Sequence, residues 1–561
     1  MSAAPSPLVR HRYLVLGALG LAVYVAFLGR RDLWYPDEPD IGQVALAMYT
    51  SGDWIAPRFN GEIWVDYPPM VYWTASIAAH VLGGMSELAL RLPSALAAIA
   101  LVLVTCAAAS RWFDARTGLW AGFLLAISAK FMYEAISYRP DMLFSLAIGA
   151  GIVTYATASG ERARWGPRIV AFSLFGLAIL SKGPLGLLLP GLVLTLWHAG
   201  RREWRRLLEL APLALVSLAF ALPWYVACAK AMGVDDLWGE IYAQNFKRFG
   251  SGSRGHRQPF YYYLGVVWPD LAPWSPLLPF ALYWLVRSGR WRDRHVQLAL
   301  WWCGAFFVFL SIAITKRELY LMPAFPALAL LAAPWFAAAF GAAASGAEPA
   351  AAPDPRPARV WIVAVAGLFA ILGVVLMGAA SALDPVLARA DLEPHEIESA
   401  RSLRIPVLAL GAALVALGAW IWSAYRRGRL REALARVGVA HLPLYALGAA
   451  WILPSFNAHK TYAPQCRWIA GQVGDSTHIG VFSERAKAKK GGFGFYTGKL
   501  VEIIADEGAL ERFFREHPDS VALVAEEVSE ALFASERTDW KARVVRDLLI
   551  GRYHYFVVRG A

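Results

Sequence analysis

The strongest constraint on this chain is an alternation of long apolar runs with short arginine clusters, because a segment of about 17 to 25 apolar residues is long enough to cross a bilayer as a helix. Such runs fall near 13–29, 93–110, 117–134, 141–158, 168–181, 183–198, 208–228, 272–287, 297–314, 319–340, 359–381, 404–423 and 437–453. Over the 561 residues, 58% are apolar and only 17% charged, far from the balance of a soluble domain. The net charge of +12 would suggest nucleic acid in a soluble protein. Here the arginines sit between apolar runs, where they act as topology signals, and nucleic-acid binding is excluded as a function class. Of the four cysteines, Cys106, Cys228 and Cys303 lie in or at apolar runs and Cys466 stands alone, so no disulfide framework is implied.

The arginines also set sidedness. The run Met70–Gly84 is short and follows the breaker Pro68-Pro69. If it does not cross, Arg10/Arg12, Arg111/Arg116, Arg162/Arg164/Arg168, Arg201/Arg202/Arg205/Arg206, Arg287/Arg290/Arg292/Arg294 and Arg426/Arg427/Arg429/Arg431 all fall on one face, which is then the cytoplasm. The segment 70–84 is therefore read as interfacial or re-entrant. The first run lacks a small-residue cleavage site and is read as an uncleaved first span. The fold class expected is an α-helical multi-pass membrane protein of about 13 transmembrane helices over 1–455, with outer loops 30–92 and 229–271. Residues 456–561 then form a small extracytoplasmic α/β domain, with strands expected at His478–Phe482, Val501–Ile504, Val521–Val524 and Tyr553–Val558 and a helix at Gly508–Glu516. The Ala/Gly/Pro-rich stretch 341–357 reads as a cytoplasmic linker.

That topology gathers the unusual polar residues on the outer face. The first outer loop carries Asp32, Asp37, Glu38, Asp40, Asp53, Glu62, Asp66 and Glu87 among tryptophans and tyrosines. Acidic, aromatic segments at headgroup level suit an encounter with a lipid-linked ligand. Asp37 and Glu38 follow the first span directly, where low-dielectric surroundings tune a carboxylate for proton transfer or metal binding. Asp141 opens another span, as catalyst or helix cap. Lys182, Lys316 and Arg317 sit at outer span ends and need anionic partners, either a ligand phosphate or a local carboxylate. Lys130 and Glu134 are spaced as a structural i,i+4 pair. The loop 229–271 holds Asn245, Arg248 and His256, the last a candidate proton shuttle or metal ligand, and its glycines and serines suit closure over a substrate.

In this order the motifs resemble the bacterial membrane glycosyltransferases related to protein O-mannosyltransferases and to the aminoarabinose transferase of lipid A modification. The points of match are Asp37-Glu38, Ser51-Gly52-Asp53-Trp54, Pro68-Pro69 with Tyr72-Trp73, Ser181-Lys182-Gly183-Pro184, Pro223-Trp224-Tyr225, Asn245 to Phe249 with His256, and Lys316 to Pro323. The resemblance implies the GT-C fold, an undecaprenyl-phosphate sugar donor and Asp37 as leading catalytic acid, with Glu38 and Asp141 beside it. On the same reading Lys316, Arg317, Arg248, Lys182, Tyr67 and Tyr320 bind donor phosphate, and Arg58, Asn245 and His256 serve the acceptor side. A divalent metal, if used, has Asp37, Glu38 and His256 as candidates. Two positions depart from the aminoarabinose type: Tyr67 stands where a lysine is usual and Asp40 where an arginine is usual, removing positive charge from the presumed phosphate end.

The partners expected are thus a polyprenyl-phosphate sugar donor, a lipid or glycan acceptor and the membrane, with the protein in the bacterial inner membrane and its site facing the periplasm. Protein as acceptor is the alternative within the enzyme class. A lipid-linked sugar flippase is the rival outside it, which would place paired charges near the bilayer midplane.

Overall fold

The computed structural model describes residues 6–35, 37–158, 165–247, 257–340, 354–389, 394–457, 461–474, 476–483, 490–534, 539–550 and 553–560. Each apolar run becomes helix. In chain order the body comprises α1 (Arg12–Gly20, prolonged by a π turn to Val25), α2 (Glu38–Ser51), α3 (Met70–Leu82), α4 (Glu87–Trp112), α5 (Ala115–Ala126), α6 (Ala129–Ala135), α7 (Asp141–Ala158) and α8 (Trp165–Lys182). It continues with α9 (Leu185–Gly200), α10 (Trp204–Met232), α11 (Val234–Ile241), α12 (Tyr262–Asp270), α13 (Leu278–Arg287), α14 (Arg294–Ile312), α15 (Phe325–Phe340), α16 (Arg356–Ser381), α17 (Arg404–Arg426) and α18 (Leu430–Leu447). Among the described residues, eight helices are long and apolar enough to cross a membrane, and Arg12–Val25, Met70–Leu82 and Leu185–Gly200 are shorter apolar helices.

Two expected runs are broken, for a shared reason. The run over 117–134 divides at Ile127–Ser128 into α5 and α6, and the run over 272–287 begins earlier, at Tyr262, and divides into α12 and α13. Pro269, Pro273 and Pro276 supply no amide hydrogens to a continuous helix there. The two breaks satisfy one another: Ala129 N–H donates to the Ala272 carbonyl at 3.0 Å, and the Trp274 indole donates to the Leu124 carbonyl at 2.9 Å and to Ser128 Oγ at 3.0 Å. Backbone groups freed from a helix in apolar surroundings need such partners. The mutual seal fixes α6, with Lys130 and Glu134 on it, at one level of the bundle. The segment expected as outer loop 229–271 is correspondingly shortened, since α10 runs to Met232 and α12 starts at Tyr262. Most of the expected linker 341–357 lies outside the described residues, and α16 already begins at Arg356.

The first outer segment is ordered by local structure. It holds α2, a hairpin of β1 (Arg58–Phe59) and β2 (Glu62–Ile63), and α3. Gly52 closes α2 in the left-handed conformation, φ 70°, which a glycine adopts without steric cost.

The tail folds around one mixed sheet of β3 (His478–Phe482), β4 (Leu500–Ile504), β5 (Val521–Ala525), β6 (Val544–Ile550) and β7 (Tyr553–Arg559), in the order β4-β3-β5-β7-β6. Strand β3 runs parallel to β4 and β5, and β7 is antiparallel to β5 and β6. Helices α19 (Ala463–Ala470), α20 (Lys490–Thr497), α21 (Glu507–Glu516) and α22 (Glu526–Phe533) accompany it. The central strand β5 is buried along its whole length, as its unbroken apolar sequence requires. The four expected strands and the Gly508–Glu516 helix are present within a residue or so, and β6 is an addition.

Candidate active site

Consecutive carboxylates at the start of α2 have separate fates. Glu38, 4% exposed, receives Arg31 at 2.9 Å, Arg91 at 2.8 Å and the Tyr138 amide at 2.9 Å. Burial alone would raise its carboxyl, but the two guanidiniums outweigh burial and hold it well below the usual range. Both Glu38 oxygens are therefore occupied within the scaffold, which turns the expected catalytic or metal-binding role of Glu38 into a structural one.

Asp37, 20% exposed, has its Oδ2 within 2.8 Å of Arg139 Nη2 and of Arg317 Nη2. Arg139 is fixed from behind by buried Glu134 at 3.1 Å, and Glu134 also holds Lys130 at 3.0 Å, which reaches Glu318 at 3.0 Å. The expected Lys130–Glu134 pair is thus one link in a chain of ion pairs that ends on Asp37. Two turns of chain far apart in sequence, the one before α7 and the one before α15, converge on this carboxylate, and the tip of α6 braces the first.

Beside this corner lies a cavity of about 130 Å³. Its polar wall includes Asp66, Tyr67, Asp141, Lys182, Asn245 and Tyr320, and its apolar wall includes Phe144, Leu185, Leu189, Phe309, Leu310 and Pro323. Lys182 pairs with Asp141 and lies 4.7 Å from the Tyr320 ring centre, so the ammonium is held between a carboxylate and a π face. Gly183, at φ 74°, lets the chain turn sharply out of α8 and leaves room for Asn245, whose amide donates to the Ile241 carbonyl at 3.0 Å. Tyr67 is half-buried, and desolvation, then the Asp66, Asp141 and Asp37 charges, push its hydroxyl well above its ordinary pKa. Asp40 is pushed up to about 7 by burial, then by Asp37 and Asp66, against the lowering effect of the Gly491 amide.

The remaining expected residues lie elsewhere. Lys316 is buried, but its ammonium donates to the backbone carbonyls of Gln258, at 3.0 Å, and Ala313, so it braces the backbone. Arg58 is on the β1–β2 hairpin, 3.7 Å from Asp53. Arg248 and His256 lie outside the described residues. Among the described residues no three His, Cys, Asp or Glu side chains group as metal ligands, and Asp37 and Glu38 are each engaged by their own pair of arginines. Sequence reasoning passed over Asp66 and Arg139 as site residues. Both stand next to expected residues, Asp66 before Tyr67 and Arg139 two before Asp141, and that adjacency was the available signal.

Comparison with known proteins bears on this arrangement. Residues 66–226 match the family model described as dolichyl-phosphate-mannose-protein mannosyltransferase. An undecaprenyl phosphate-alpha-4-amino-4-deoxy-L-arabinose arabinosyl transferase of Edwardsiella ictaluri is 30% identical over 331 residues, 57% of this chain and 58% of that protein. Its namesake in Pseudomonas aeruginosa strain UCBPP-PA14 is 33% identical over 331 residues, again 57% of this chain and 58% of that protein. The chain thus spans about 58% of the length of the curated relatives it matches. The crystal structure of ArnT from Cupriavidus metallidurans bound to undecaprenyl phosphate superposes with a TM-score of 0.74 at 22% identity, covering 98% of each chain, and the apo form with 0.75 at 21%, also covering 98% of each. The fold is that of the multi-pass GT-C membrane proteins. Within that class, the chain is similar to the aminoarabinose transferases named above over 57% of its length, and residues 66–226 carry the mannosyltransferase family match.

Proposed function

We propose that this protein is a glycosyltransferase of the bacterial inner membrane that takes a sugar from a polyprenyl phosphate, undecaprenyl phosphate in the first instance, and transfers it to an extracytoplasmic acceptor. Lipid A, another lipopolysaccharide glycan or another envelope glycan is the acceptor class favoured. The chain is read as about 13 spans over 1–455 with the site facing the periplasm, and 456–561 as a periplasmic domain. The observation that carries the reading is a cavity that joins the Lys182–Asp141 pair to a wall of Phe, Leu and Pro, with Asp37, clamped by Arg139 and Arg317, close to its Tyr67 side. A ligand with a phosphate, a sugar and a long apolar tail needs those three surroundings together. The relatives named for an undecaprenyl phosphate donor support the same choice.

In the mechanism that follows, the bond between the anomeric carbon and the phosphate oxygen breaks, and its electron pair leaves on the polyprenyl phosphate. The acceptor oxygen bonds to that carbon from the opposite face. Asp37 orients an acceptor hydroxyl, whose proton passes to the carboxylate or onto the departing phosphate. Arg317 has guanidinium nitrogens beyond the one on Asp37, which suit it to fork onto phosphate oxygens as charge grows there. Lys182 is placed inside the cavity for the same charge, with Tyr320 against it.

The test is transfer of label from radiolabelled undecaprenyl-phosphate sugars into envelope extract by purified protein, with products separated into lipid, glycan and protein fractions. Label entering one fraction with wild type and not with Asp37→Asn is the expected result. Turnover retained by Asp37→Asn would remove Asp37 from the chemistry, and no transfer from any donor would shift the reading to a flippase.

A further inference from the structure

The segment that carries Asp37 is gripped from outside the helical body. Helix α20 of the tail lies along residues 33–43 and touches them on both sides of Asp37. Tyr496 Oη accepts the Leu33 amide at 2.7 Å, and Tyr35 Oη accepts the Gly492 amide at 2.8 Å. Beyond Asp37, Gly491 lies against Asp40, Gly494 against the amide end of Gln43, and Phe495 against Gly42. Farther out, Asn60 is tied to Val501 by two hydrogen bonds, 2.7 and 2.8 Å, and Asn457 reaches the Asp32 amide and the Trp34 indole at 3.3 and 3.1 Å.

The glycines of Lys490-Gly491-Gly492-Phe493-Gly494-Phe495-Tyr496-Thr497 matter here for their lack of a side chain. Within a helix, glycine costs about 1 kcal/mol relative to alanine. Three in a single short helix therefore require a compensating use, and close approach to α2 is that use. A β-carbon on Gly491 would come within 2.6 Å of Asp40 Cα and 2.8 Å of its backbone nitrogen. Those are backbone atoms in the first turn of α2, so the turn itself would have to move. A β-carbon on Gly494 would meet side-chain atoms of Gln43, which can rotate away.

Building on the glycosyl-transfer reading above, we propose that the tail domain is part of the catalytic corner: the glycine face of α20 sets the position of the α2 N-terminus, making Gly491 a positioning residue for Asp37. Arg139 and Arg317 fix Asp37 at its carboxylate, and α20 fixes it at its backbone. Displacing a reacting group by about 1 Å is enough to lower a rate by about a hundredfold. Donor binding rests on Lys182, Asn245, Tyr320 and the apolar wall, none of which α20 touches.

The experiment compares full-length wild type with Gly491→Ala, Gly494→Ala and Gly480→Ala in the label-transfer assay, with undecaprenyl phosphate binding and thermal unfolding measured on the same preparations. Gly480 lies in β3, where a β-carbon meets side chains of Ile504, Ala522 and Phe513, so that variant reports ordinary damage to the tail. Gly491→Ala is expected to lower kcat between tenfold and a hundredfold, with KM for the donor and undecaprenyl phosphate affinity within about threefold of wild type. Gly494→Ala and the folded fraction of Gly480→Ala keep kcat within about threefold. Equal losses of kcat in Gly491→Ala and Gly480→Ala, or wild-type kcat in Gly491→Ala, would overturn the inference and leave the proposed function standing. Absence of transfer by wild type itself would remove both.

Discussion

Asp37 and Glu38 are neighbours in sequence, and each is held by two arginines, yet they form two different kinds of site. Glu38 draws Arg31 from its own segment and Arg91 from α4, adds a backbone amide, and is closed to solvent. Asp37 draws Arg139 and Arg317 from later parts of the chain and keeps a fifth of its side chain exposed. Identical chemistry thus acts as a rivet in one place and, in the mechanism proposed above, as a reactive group in the other. What separates them is how far the cations are committed: Arg91 also donates to the Leu28, Arg31 and Asp32 carbonyls and is closed to solvent, whereas the Arg317 side chain stays 16% exposed.

The contrast can be broken most directly at the rivet. Glu38→Gln leaves two buried guanidiniums facing a neutral amide, and losing one partner of a buried ion pair costs about 3–5 kcal/mol. A large fall in the thermal unfolding midpoint, or failure to accumulate folded protein, is expected. Asp37→Asn should do the opposite: transfer falls by about 10² to 10⁴-fold while the midpoint changes little, because Arg139 keeps Glu134 and both arginines are partly exposed. If the two variants behave alike, the distinction between rivet and reactive group is wrong.

Asp40 sharpens the comparison through pH. Its carboxyl is near its ordinary value when unfolded and at about 7 when folded, so the folded state retains a proton that the unfolded state has released between about pH 4 and 7. Stability therefore falls as pH rises through that window and levels off above it. Unfolding midpoints of wild type and Asp40→Asn measured from pH 5 to 8 should diverge, with Asn the more stable by about 1–3 kcal/mol at pH 8. A pH-independent difference between them would assign that proton elsewhere. The smallest effect is expected one step behind Asp37: Glu134→Gln leaves Lys130 its Glu318 partner and Arg139 its Asp37 partner, so stability changes by about 1 kcal/mol. Loss of the brace behind Arg139 should lower turnover about tenfold, equivalent to about 1.4 kcal/mol, read from kcat at saturating donor.

How much of this was legible in the sequence follows from the range of the interactions. Apolar length and arginine placement act locally, so the helices could be read directly, as could strands such as Val521–Ala525, where every residue is apolar. Strand β6 was hidden because Arg546-Asp547 interrupts its pattern at an edge where those side chains face solvent. The breaks at Ile127–Ser128 and Leu271–Leu277 were only half visible: prolines announced one, but the other exists because a segment far along the chain seals it. At the site, Asp37, Lys182 and Tyr320 could be named from motifs. The identity of Asp37's partners could not, since Arg317 is 280 residues away and only folding brings it near. Lys316 and Arg317 are adjacent cations with the same apparent claim on a phosphate, and only the backbone carbonyls of Gln258 and Ala313 show that the lysine is engaged elsewhere.

The grip of α20 on residues 33–43 joins parts of the chain separated by 457 and 463 residues. A nascent chain still short of residue 490 already contains Asp37, Arg139, Arg317 and the cavity walls, but lacks the struts that hold the carboxylate's backbone. The corner proposed above is therefore incomplete until α20 has been made and has docked on residues 33–43.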